Sequence, residues 1–68
     1  MKTELTHWII IFVDANSDVA LIKEYDFEEV EARVWNLRKN SKFIKVLEAK
    51  EIFENGKRVE VEIKEEEV

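Results

Sequence analysis

The chain predicts an α+β domain of ββαββ order, a four-stranded, mainly antiparallel sheet with one helix packed on one face. Three observations predict it. Trp8 to Val13 are six apolar residues in a row, followed by a small polar loop. Asn55-Gly56 separates two alternating segments, a hairpin signal. Between them Phe27, Val30, Val34 and Leu37 recur at the 3-4-3 spacing of one helix stripe.

The first hairpin takes residues 7–13 and 19–25 around Asp14-Ala15-Asn16-Ser17-Asp18, whose side chains bend the chain by local hydrogen bonds. If Val13 lies opposite Val19, then Ile11 meets Leu21, Ile9 meets Lys23 and His7 meets Tyr25. The other face pairs Phe12 with Ala20, Ile10 with Ile22 and Trp8 with Glu24. Successive strand residues point to opposite faces, so this hairpin is apolar on both.

The helix begins at Asp26, a good N-cap, with Glu29 three residues on to complete a capping box. Arg38 and Lys39 sit where the helix dipole favours cations, and Asn40-Ser41 ends the element.

The second hairpin takes residues 42–53 and 57–64. A two-residue loop sets Val61 opposite Lys50 and Ile63 opposite Glu48. A three-residue loop, Glu54-Asn55-Gly56, sets Val61 opposite Ala49 and Ile63 opposite Leu47. Opposed residues share a face, so the apolar matches favour three residues. The first strand is the most apolar and belongs in the middle, which gives the order 2-1-3-4.

The helix start predicts the covered face. Tyr25 precedes the cap and Val30 is the fourth helical residue, the positions of a hydrophobic staple. A staple places the helix over Tyr25, Val19, Leu21, Ile9, Ile11 and Val13. The helix-free face then carries Trp8, Ile10, Phe12, Ala20 and Ile22, extended by Ile44, Val46 and Ile52.

The 68 residues make one small domain, with an ordered core over about 6–64 and a frayed acidic tail over 65–68. Domains this small are usually reinforced by a disulfide, a metal or a partner. There is no Cys and only one His, His7, so a partner subunit or unusually good packing is the reinforcement that remains. Net charge is −5, and residues 48–68 hold eight acids and four bases. That balance disfavours nonspecific binding to nucleic acid or anionic membrane. The six-residue apolar run is far short of the roughly 20 residues a membrane helix needs. No secretory signal pattern opens the sequence, which fits the cytoplasm.

No nucleophile elbow, P-loop, dinucleotide glycines or zinc-binding helix motif occurs, so no catalytic, cofactor or metal residue is assigned. The expectation is a non-enzymatic interaction or regulatory protein that homodimerises through its helix-free sheet face, or inhibits a partner protein through it. Trp35 lies off the helix stripe and is a candidate hot spot. Two alternatives come from charge. Glu60, Glu62, Glu65, Glu66 and Glu67 could imitate a phosphate backbone, since strand carboxylates two apart stand roughly 6–7 Å apart. Arg33, Arg38, Lys39, Lys42 and Lys45 with Trp35 could bind nucleic acid weakly.

Overall fold

A computed structural model describes residues 1–68. The elements are β1 (Lys2–Asp14), β2 (Val19–Glu24), α1 (Phe27–Leu37), β3 (Ser41–Glu54) and β4 (Lys57–Glu66). All neighbouring strands are antiparallel, in the order β2-β1-β3-β4. The fold is the expected α+β ββαββ. Strand pairing runs further than the 6–64 core: β1 starts at Lys2, and β4 reaches Glu66 inside the expected tail.

The first hairpin has the register set by its apolar pairs, with Val13 opposite Val19 and Ile10 opposite Ile22. Its loop is organised by Asp14. The Asp14 carboxylate accepts the N–H groups of Asn16 (2.9 Å) and Asp18 (3.0 Å). Ser17 supplies the left-handed residue, φ 68°, that lets the chain rejoin β2.

The second hairpin turns differently from expectation. Asn55 and Gly56 are both left-handed, φ 53° and 81°, as a two-residue type I′ turn requires. Glu54 therefore pairs with Lys57. Val59 is then bulged out of the ladder, because Phe53 pairs with Arg58 and Ile52 with Glu60. The bulge shifts the register by one and puts Ile63 opposite Ala49 and Val61 opposite Glu51. Val61 and Ile63 so reach the face the three-residue loop assigned them, by another route.

α1 starts where predicted. The Asp26 carboxylate accepts the Glu28 N–H at 3.0 Å, satisfying one of the free donors of the first turn. Arg38 is the C-cap, so the predicted last-turn cations Arg38 and Lys39 follow the final helical residue.

The helix lies on the opposite face from the one the staple predicts. Val30 and Val34 close over Ile10 and Val46, with Trp8, Phe12, Ile22, Phe27, Leu37 and Ile44 packed around them. Tyr25 stays on the other face, 5.8 Å from the His7 ring, and no staple to Val30 forms. Two physical reasons select this side. The rejected face carries Lys45 beside Ile11 and Lys23 beside Ile9, and a helix there would bury two ammonium groups. The second reason is chirality. β2 and β3 both oppose β1, so they are parallel and α1 is a crossover between them, a connection that is right-handed in nearly all proteins. The Asp14 N–H donates to the Asp18 carbonyl at 3.0 Å, so even-numbered β1 residues turn their backbone groups toward β2. For L-residues that geometry points even-numbered side chains to the side a right-handed crossover reaches.

The core is thin. Six of 68 residues are buried: Ile10, Val30, Val34, Val46, Ala49 and His7. Eleven helical residues extend about 16 Å, whereas the molecule is 45 Å long. The helix therefore covers one end of one side.

Candidate functional site

The register defines the uncovered face. β1 contributes Leu5, His7, Ile9, Ile11 and Val13, and β2 contributes Val19, Leu21 and Lys23. β3 adds Phe43, Lys45, Leu47, Ala49, Glu51 and Phe53, and β4 adds Arg58, Val61, Ile63 and Glu65. Large side chains from all four strands are open to solvent here, including Leu21 at 62%, Phe43 at 53% and Ile63 at 59% exposure. Tyr25 extends the surface beyond the end of β2 at 59% exposure. Soluble monomers rarely expose a contiguous apolar patch above a few hundred Å².

The charges on this face are largely satisfied within the chain. Lys45 Nζ lies 3.3 Å from Glu65 Oε1. Glu51 Oε2 accepts from Arg58 at 3.4 Å, and Glu51 Oε1 lies 3.3 Å from His7 Nδ1 without a hydrogen bond between them. Lys23 Nζ stands 5.6 Å from the centre of the Tyr25 ring, a cation–π distance. His7 is buried beside Ala49. Sequence reasoning paired His7 with Tyr25 and missed Glu51. The β1–β3 register, with His7 opposite Ala49 and Glu51 two residues along, was the signal that places them together.

The predicted interface residues have a different role. Ile10 and Val46 are fully or almost fully buried beneath α1. Trp8, Phe12, Ile22 and Ile44 surround them. Ala20 and Ile52 point to the same side and are half-buried. Six of the eight therefore form or flank the monomer's own core, and Ala20 and Ile52 lie on that same helix-side face outside it. The helix-free face is the other side of the sheet.

Trp35 is 65% exposed on the outside of α1. The basic residues around it are engaged elsewhere. Arg33 Nε meets Glu24 at 2.8 Å, Arg38 donates to the Val68 carbonyl at 2.9 Å, and Lys42 donates to Ser17 Oγ at 2.6 Å. Lys45 faces the helix-free side with Glu65. No single cationic surface results. The acidic row also divides. Glu60, Glu62 and Glu66 point to the helix side and Glu65 to the other, while Glu67 follows the strand. Lys50 lies opposite Glu62, and Lys64 stands 3.8 Å from Glu48. Alternating charge on this side is unlike the uniform sign of a phosphate backbone.

An open groove lies between the end of α1, the start of β3 and the C-terminal residues. It is lined by both signs of charge, including Arg38, Lys42, Glu66 and Glu67. It has no convergent nucleophile, base and oxyanion donors of the kind catalysis uses. No helix is long and apolar enough to cross a membrane. No protein-family model, curated protein or solved structure matches the chain.

Proposed function

We propose that the protein is a non-enzymatic interaction module that docks another protein surface on the helix-free face of its sheet. One observation carries this reading: all four strands present large, solvent-open apolar side chains on a face that no element of the chain covers. Burying such side chains is worth about 1.5–3 kcal/mol each, a gain the monomer forgoes and a partner would realise. The face is made of paired strands and is low in uncompensated charge, as the centres of protein interfaces are.

Affinity capture from the source cell tests the reading. Wild-type chain is compared with Leu21→Lys, which places a charge at the middle of β2, and with Trp35→Ala on the helix exterior. The expected result is protein retained by wild type and Trp35→Ala and lost from Leu21→Lys. Equal retention by all three would remove the sheet face as the docking site.

A further inference from the structure

Resting on that reading, we infer that the occupant of the sheet face is a second copy of this chain, packed sheet to sheet about a two-fold axis. Area is the first argument. β2 and β4 pair at opposite ends of the sheet, so it is three strands wide over most of a molecule 45 Å long. Its 43 strand residues, each covering about 16 Å² of sheet, make a face on the order of 700 Å², within the ~600–1,000 Å² that one partner contributes to a standard stable interface. A second sheet laid on this one covers most of that area, whereas a peptide or a single helix covers only a stripe of it.

Charge is the second argument. The chain carries −5, yet of its sixteen acidic residues only Glu51 and Glu65 lie on this face. Arg58 and Lys45 of the same chain compensate both, and Lys23, over the Tyr25 ring, leaves the face a single surplus positive charge. A basic or acidic partner finds little to complement. Two copies meet here with their acidic surplus directed away from each other, toward the helix side and the loops. A self-complementary patch needs this near neutrality, because every charge on it meets a symmetry-related surface of the same sign pattern.

The thin core points the same way. A 68-residue chain with no Cys and six buried residues has little internal reinforcement. Stacking two sheets about 10 Å apart makes a helix–sheet–sheet–helix sandwich. Half-buried Ile9, Ile11, Val13 and Leu47 become the centre of a second hydrophobic layer.

Sedimentation velocity across micromolar concentrations tests the inference, with helix content followed by circular dichroism. Wild type is expected at twice the 8.1 kDa chain mass, and Trp35→Ala likewise. Leu21→Lys and Ile63→Lys, placed on opposite flanks of the face, are each expected to sediment as folded monomers. Both replaced side chains are more than half exposed in the monomer, so its fold tolerates the change. A dimer that persists in both lysine variants would overturn the inference, because it uses another surface. A monomeric wild type overturns it too. In that case an apolar dye separates the two levels of argument. Dye bound by wild type and lost from Leu21→Lys leaves the face open for a different protein. Dye bound by neither removes the docking reading as well.

Discussion

Trp8 sits between Glu24 on β2 and Glu48 on β3, on the helix side of the sheet. Its ring packs at a tilt on Phe27, with centroids 5.5 Å apart. Both flanking carboxylates are turned to cations, Glu24 to Arg33 at 2.8 Å and Glu48 to Lys64 at 3.8 Å. The indole Nε1 is buried with no hydrogen-bond partner. Leaving a buried donor unpaired costs about 1–3 kcal/mol, which offsets part of the packing the large ring supplies. Trp8→Phe keeps an aromatic surface against Phe27 and deletes the unpaired N–H. Its expected effect on stability is within about 1 kcal/mol of zero, far below the ~3–5 kcal/mol usual for truncating a packed Trp to Ala. Urea denaturation of Trp8→Phe and Trp8→Ala measures the contrast. A loss for Trp8→Phe as large as for Trp8→Ala would show that the indole nitrogen carries no penalty.

The β3–β4 turn shows how a whole element depends on one conformation. Gly56 has φ 81°, and a Cβ built there meets nothing within 4 Å. The cost of Gly56→Ala is therefore conformational alone, about 1–2 kcal/mol for a left-handed L-residue. Urea midpoints should fall accordingly with the slope unchanged, and an unchanged midpoint would contradict the turn assignment. Asn-Gly was readable in the sequence, as were the helix cap at Asp26 and the pairing of Val13 with Val19. Those features are local, and short-range chemistry decides them. The Val59 bulge was not readable, because Ile63 reaches the same face whether the loop has three residues or the strand has a bulge. The helix face differs from the one the staple predicts for a related reason. A staple is a single local contact, whereas the choice of face belongs to the crossover and to the burial of Lys23 and Lys45. Both of those signals lay in the residues once strand order was assumed. The candidate site was legible only as a category: a helix-free apolar face was expected, and its residues were assigned to the wrong parity of β1.

At the scale of the molecule, one helix on a long sheet leaves stability tied to what meets the other side. Mass action makes the consequence measurable. If two copies fold and associate together, the melting temperature rises with protein concentration. Wild type should show that rise between low and high micromolar protein, and Leu21→Lys should not. A wild-type melting temperature independent of concentration would disconnect the face from stability. The positions of the chain ends have a consequence of another kind. The Met1 carbonyl accepts the Asn55 N–H at 3.2 Å, whereas the Val68 carbonyl is held by Arg38 beyond the end of α1. β1 and β4 are parallel, both running away from the β3–β4 turn, with β3 between them. Tension applied between the termini therefore runs along the strands, across hydrogen bonds that lie perpendicular to it. The ladders are loaded as a block in shear. Tension between residues 2 and 54, which pair at one end of β1 and β3, instead peels the same ladder apart one bond at a time. Because the chain has no native Cys, introduced cysteine pairs give unique handles for single-molecule pulling. The end-to-end geometry is expected to yield at the higher force, and equal forces would contradict the topology. The fold is in this sense a mechanical clamp in one direction and a zipper in another.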